Sequence, residues 1–282
     1  MIDKTFIDDH LDGLKDCVRD ASKAILEVYQ STDYGEINKR DGSPLTIADK
    51  NANEIILNRL NKLTPDIPII SEETFELSSL KNLNETYWLV DPLDGTKEFI
   101  NKTDEFTVNI ALINNKSSVF GIVAAPVTGK IWHGSMFDKD PETNTISDDK
   151  ELNRFDALNF TKYIVMSKSH KNQNDENFLK FLDLNKISYE IVEKGSSLKL
   201  CSLADKEADI YPRFGPTSEW DIAAAHAVLN SHGGSVINIK NEMELEYAKE
   251  SSILNPYFIA FKNNAIKNEF LPVLRDFFKK LV

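Results

Sequence analysis

The 282-residue chain is short of cysteine, of cationic residues and of long apolar runs. Its two cysteines, Cys17 and Cys201, lie far apart and outside any C-x-x-C spacing. That excludes a disulfide framework and a structural zinc site, and the expected compartment is the reduced cytoplasm. No stretch approaches the ~18 apolar residues of a membrane span, and Met1-Ile2-Asp3-Lys4 does not open a signal pattern. Peripheral attachment at the inner membrane face is left open. Lys and Arg number 33 against 45 Asp and Glu, for a formal net charge of −12. A nucleic acid polymer needs a basic face, so that partner is excluded. His133, His226 and His232 show no metal-ligand spacing, and there is no internal repeat or low-complexity tract.

What is present is a globular composition, 41% hydrophobic and 28% charged. The length suits one large domain or two smaller ones. Leu11, Leu14, Val18, Ala21, Ile25 and Val28 recur on one helical face. A short strand at Glu36–Arg40 and a hairpin turn at Asp41-Gly42 follow. A second helix is predicted from Ile47 to Leu63, with Ile55, Ile56, Leu60 and Leu63 inward. Strands are predicted at Ile67–Ser71, Tyr87–Val90, Phe106–Ile113, Val119–Pro126 and Lys130–Met136. Beyond a polar excursion at 138–156, strands and helices alternate to a terminal helix. The first half reads as α+β and the second as α/β. The expected division is an N-terminal metal-binding and catalytic domain, 1–155, and a C-terminal domain, 156–282, that completes the metal site and the substrate pocket.

The most informative stretch is Trp88-Leu89-Val90-Asp91-Pro92-Leu93-Asp94-Gly95-Thr96. An apolar strand runs into Asp91, and Pro92, with no N–H to give, is expected to end its pairing. Asp94 follows, Gly95 permits a tight turn, and Thr96 opens a helix. Carboxylates bind hard cations, and helix N-terminal amides bind phosphate. Two carboxylates ~4 Å apart repel by roughly 4 kcal/mol at an effective dielectric constant of 20, so the pair persists more readily with a cation between them. Bound cations would also explain how an acidic protein admits an anionic substrate.

Other candidates are weak singly. Glu72-Glu73 follows a strand, where paired acids are usually a solvated loop. Asp221 follows Trp220 at a helix start, where its ordinary role is N-capping. Thr46 and Asp49 have the spacing of a capping pair. Gly195-Ser196-Ser197-Leu198-Lys199 opens a helix with small donors and a lysine. Arg213 and His170 each follow a strand and read singly as surface residues.

Together these segments resemble the lithium-sensitive, Mg²⁺-dependent phosphomonoesterases of the inositol monophosphatase superfamily. Its pattern is G/S-E-E, then D-P-[IL]-D-G-T after a strand, then W-D before an Ala-rich helix. The matching residues are Ser71-Glu72-Glu73, Asp91 to Thr96, and Trp220-Asp221. Lys97-Glu98-Phe99, the Gly195–Lys199 segment and Tyr211-Pro212-Arg213 resemble the 3′(2′),5′-bisphosphate nucleotidase branch (the CysQ type).

The resemblance implies a layered α/β/α/β/α sandwich. It implies hydrolysis of adenosine 3′(2′),5′-bisphosphate to AMP and phosphate in a monomer or homodimer, with two or three Mg²⁺ ions. Glu72, Asp91, the Leu93 carbonyl, Asp94 and Asp221 would hold the metal. Asp49 and Thr96, with Glu72, would orient the attacking water. Gly95 and Thr96 amides would hold the scissile phosphate, and His170, Ser196, Lys199 and Arg213 the rest of the nucleotide. The alternatives are an inositol or sugar phosphate phosphatase, or a nucleotide-binding sensor without turnover.

Overall fold

The structure is a computed structural model. It describes residues 2–31, 35, 37–38, 44–81, 83, 85–138, 161–168, 172–249 and 251–281. The predicted Asp41-Gly42 turn, nearly all of the polar excursion at 138–156, and His170 lie outside the described residues.

Two five-stranded sheets carry the fold. The first contains β3 (Ile69–Ser71), β4 (Thr86–Asp94), β5 (Thr107–Asn114), β6 (Ser117–Ala125) and β7 (Lys130–Ser135), adjacent in that order. All its pairings are antiparallel except β3 with β4. The second contains β8 (Lys162–Ser167), β9 (Tyr189–Lys194), β10 (Ile210–Arg213), β11 (Ser235–Asn238) and β12 (Phe258–Phe261). Its order is β11-β12-β10-β8-β9, with the last two pairings parallel. A small ribbon of β1 (Ile37–Asn38) and β2 (Pro44–Leu45) precedes both sheets.

Helices cover the faces of both sheets, and the inner strands such as β5, β6 and β12 read as nearly continuous apolar runs, whereas the edge strand β9 stays largely exposed. On the outer face of the first sheet lie α1 (Lys4–Tyr29) and α2 (Ile47–Leu63), packed on Trp88, Val90, Ile110 and Ile122. The helices α5 (Leu198–Ala204) and α6 (Glu219–Ser231) sit between the sheets, against Leu89, Ala111 and Val123 on one side and Val165, Tyr211 and Val236 on the other. On the far face lie α4 (Gln173–Leu184) and α7 (Asn264–Phe278), joined through Ile164, Phe178, Phe214 and Phe277. This is the layered α/β/α/β/α arrangement that the resemblance implies. Among the described residues no helix is long and apolar enough to cross a membrane. Cys17 and Cys201 are buried free thiols.

The central helix sits unusually close to the first sheet. A Cβ on Gly121 would come within 2.0 Å of the Ala224 carbonyl oxygen, and one on Gly134 within 2.0 Å of Ser231 Oγ. Glycines on β6 and β7 let the backbone of α6 approach the sheet closely.

The first helix begins at Lys4, capped by Asp3, which accepts from the Phe6 amide at 2.9 Å. Two expectations need correction. In α2, Ile56 and Leu60 are fully buried, whereas Ile55 and Leu63 only flank the core. Pro92 does not end the pairing of β4. The strand continues to Asp94 through an irregularity between Asp91 and Asp94, with Asp91 opposite Asn109 and Asp94 opposite Thr107. A bulge tolerates a residue that cannot donate. Strand β11 has no counterpart among the expectations, because Ser-Val-Ile-Asn after Gly233-Gly234 is too short to show a period.

Candidate active site

The irregular end of β4 places its acids. Asp91 is 1% exposed, and its Oδ1 accepts from the Leu93 amide at 3.0 Å. Gly95 takes φ +91°, the left-handed region open to glycine, with the Glu105 carbonyl close by. It turns the chain into α3 (Thr96–Ile100). Parallel pairing sets Ser71 beside Val90, so Glu72 leaves β3 next to Asp91.

Asp49 does two things at once. Its Oδ2 accepts from the Thr46 amide and hydroxyl, both at 2.6 Å, completing a capping box for α2. Its Oδ1 accepts from the Thr96 hydroxyl at 3.1 Å. That hydroxyl is also 3.2 Å from the Leu93 carbonyl. Asp221 likewise caps α6, accepting from the Ser218 amide at 2.9 Å, and also faces the acids of β4.

One cavity of about 650 Å³ gathers the rest. Glu72, Asp91, Leu93, Asp94, Gly95, Thr96, Ser196, Lys199, Arg213 and Asp221 all line it, and Asp49 stands behind Thr96. Nearly every described residue nominated by sequence is therefore brought to one place. Sequence reasoning gave no role to Ser197, Tyr211 or Trp220 in the wall, or to Glu105, which accepts from the Gly195 amide at 3.1 Å. Only the fold joins residues 90 apart; Ser197, Tyr211 and Trp220 had a signal only as members of the Gly195–Lys199, Tyr211-Pro212-Arg213 and Trp220-Asp221 segments.

The electrostatics divide the cavity. Burial, then Glu72, Asp94 and Asp221, hold the Asp91 carboxyl well above the usual carboxylate range. Burial, then Asp94 and Glu72, do the same to Asp221. In the same cavity, Lys199 is 8% exposed, its Nζ 5.9 Å from the Tyr211 ring centroid. Burial pushes its ammonium down to about 8, against the pull of Asp94. Arg213 Nη2 donates to the Pro216 carbonyl at 2.9 Å, while its Nε is buried with no hydrogen-bond partner.

Acids that raise one another's pKa form a site that a cation relieves, and a donor set made only of oxygen selects a hard ion such as Mg²⁺. The residues fit such a cation. Among the described residues no three acids, histidines or cysteines close on one point as a finished cage. Two of the acids are held by protein donors. Asp94 Oδ2 takes the Ser196 and Ser197 hydroxyls at 2.6 and 3.0 Å, and Asp221 takes the Ser218 amide.

Residues 9–275 match the inositol monophosphatase family. The chain belongs to that family. The 3′(2′),5′-bisphosphate nucleotidase CysQ of Escherichia coli strain K12 is 39% identical over 249 residues, 88% of this chain and 98% of that protein. The protein of the same description from Salmonella typhimurium is 40% identical over 241 residues, 85% of this chain and 94% of its own length. The crystal structure of CysQ from Bacteroides thetaiotaomicron, a bacterial member of the family, superposes with a TM-score of 0.73 at 33% identity, covering 90% of this chain and 98% of that one.

Proposed function

We propose that this family member is a Mg²⁺-dependent 3′(2′),5′-bisphosphate nucleotidase. It removes the 3′(2′)-phosphate of adenosine 3′(2′),5′-bisphosphate and releases AMP and phosphate. The observation that carries this reading is that one cavity is lined both by carboxylates and by Lys199 and Arg213. The acids suit the cations of a phosphatase. The cationic wall suits a second phosphate, which inositol monophosphate lacks. The identity shared with the CysQ proteins supports the same substrate.

Glu72, Asp91, the Leu93 carbonyl, Asp94 and Asp221 would hold two or three Mg²⁺ ions. Bound there, they would supply Lewis-acid activation of water and of the leaving oxygen. The chain's own part is orientation. Asp49 fixes the Thr96 hydroxyl, and that hydroxyl, with Glu72, aligns water for in-line attack on phosphorus. The Gly95 and Thr96 amides face the transferred phosphoryl oxygens. Lys199, Arg213 and Ser196 grip the distal phosphate and nucleotide. The step balances: the water oxygen bonds to phosphorus as the ester P–O bond breaks, one water proton passes to the leaving nucleoside oxygen and the other stays on the released phosphate.

The test is phosphate release from adenosine 3′,5′-bisphosphate, inositol monophosphate and fructose bisphosphate, with Mg²⁺, with a chelator and with added Li⁺. The reading expects the nucleotide to be preferred and the chelator to abolish turnover. Preference for inositol monophosphate would move the chain to another branch, and tight binding without turnover would make it a sensor.

A further inference from the structure

Ser197 stands at the N-cap of α5, the position where serine most often bonds the helix's own amides. Here its side chain makes no capping bond. The hydroxyl is 3% exposed and turned across the cavity wall. Its Oγ lies 3.0 Å from Asp94 Oδ2 and 2.7 Å from the Asp221 carbonyl oxygen. One hydroxyl, with a single proton to share between two acceptors, thus stands within bonding distance of the Asp94 carboxylate on β4 and of the Asp221 peptide on α6.

The flanking residues press the same loop against the first sheet. The Gly195 amide donates to Glu105 Oε2 at 3.1 Å. Ser196 takes φ +50°, a backbone uncommon outside glycine, and its Oγ meets Thr107 Oγ1 at 2.6 Å and Asp94 Oδ2 at 2.6 Å. Two consecutive serines thus meet Asp94, and of the two only Ser197 also reaches the peptide of Asp221.

We propose that Ser197 is a positioning residue that fixes Asp94 relative to Asp221, and so sets the affinity of the site for its divalent cation. It does not contact the reacting atoms. The proposal rests on the reading of Glu72, Asp91, Asp94 and Asp221 as the cation-binding acids. Groups that orient metal ligands typically change affinity by about 10- to 100-fold when removed.

The experiment titrates the full chain with Mn²⁺ alone and follows the free ion by electron paramagnetic resonance, beside a melting curve. Ser197→Ala is compared with Ser202→Ala. Ser202 is equally buried on the same helix, but its hydroxyl bonds only the Lys199 carbonyl, at 2.8 Å. The expected result is an Mn²⁺ dissociation constant raised about tenfold or more in Ser197→Ala, and unchanged in Ser202→Ala. At saturating Mg²⁺ the KM for the bisphosphate should stay at the wild-type value. Wild-type Mn²⁺ affinity in Ser197→Ala, with only a lowered melting temperature, would overturn the proposal. Should the alanine variant not fold, Ser197→Cys fills the same space with a weak donor and must show the same loss. A wild-type chain that binds no Mn²⁺ would overturn the cation reading itself and this proposal with it, a result distinct from a failure confined to Ser197.

Discussion

The two walls of the cavity are built differently. The acidic wall is local: Asp91, Leu93, Asp94, Gly95 and Thr96 come from one strand end, with Glu72 brought alongside by a single parallel pairing. The cationic wall is assembled from distant pieces. Lys199 comes from a short central helix and Arg213 from the last residue of β10. Asp221, on the central helix, belongs by charge to the first wall and by origin to the second. A local wall preserves a chemistry as a short pattern. An assembled wall can be altered without touching that pattern, which is where related enzymes can differ in substrate.

The sharpest way to break this contrast is to attack the acidic wall. Asp91→Asn should lower turnover of every substrate by more than about 100-fold, beyond what loss of a mere supporting group does. Steady-state rates on the nucleotide and on inositol monophosphate, with circular dichroism to verify the fold, check it. A variant active at near wild-type rate would remove Asp91 from the metal site.

The cationic wall should fail selectively. A hydrogen bond to a charged group contributes about 1.5–3 kcal/mol, so Arg213→Ala should cut kcat/KM for the bisphosphate by roughly 10- to 150-fold. A monophosphate nucleotide should lose far less. Equal losses would mean that the two walls do not divide the substrate between them.

Acidity gives a smaller effect. Lys199 is charged below its pKa of about 8 and neutral above it. Its grip on a phosphate dianion is present at neutral pH and lost as pH rises through that value. The kcat/KM of the bisphosphate should therefore fall on the alkaline side, and Lys199→Arg should remove that limb because arginine stays charged. An unchanged profile would show that another group sets the limb.

The smallest effect separates the two duties of Asp49. Thr46→Ala removes the cap and should cost about 0.5–2 kcal/mol of stability, read as a lowered denaturation midpoint. The Asp49 contact with Thr96 stays intact, so turnover of the folded enzyme should fall little. If turnover collapses, capping and orientation are not separable there.

These residues also show what sequence could and could not display. For Asp49 and Asp221, capping and facing the site stand as alternatives in sequence, yet each carboxylate has two oxygens, and one side chain can do both. The acidic wall was legible because its spacing is local. Asp91 and Asp94 are three apart, and a strand leads into them. Ser197 was half visible: its segment stood out, but nothing in a linear chain shows that its hydroxyl leaves its own helix for an acid 103 positions away. The contact of Gly195 with Glu105 was invisible for the same reason. Pro92 misled because the rule against proline within strands holds for regular pairing, and this strand is irregular where function lies.

One cavity thus joins acids that suit a cation at the scissile phosphate to Lys199 and Arg213, which suit a second phosphate. The direct measurement is the ratio of kcat/KM for adenosine 3′,5′-bisphosphate to that for 3′-AMP, with Mg²⁺. Both carry the same scissile group, and only the first carries the distal phosphate. The expected ratio is about ten or more in the wild-type chain, falling toward one when Lys199 and Arg213 are replaced together by Met and Ala. A wild-type ratio near one, or a ratio that the double replacement leaves unchanged, would contradict it.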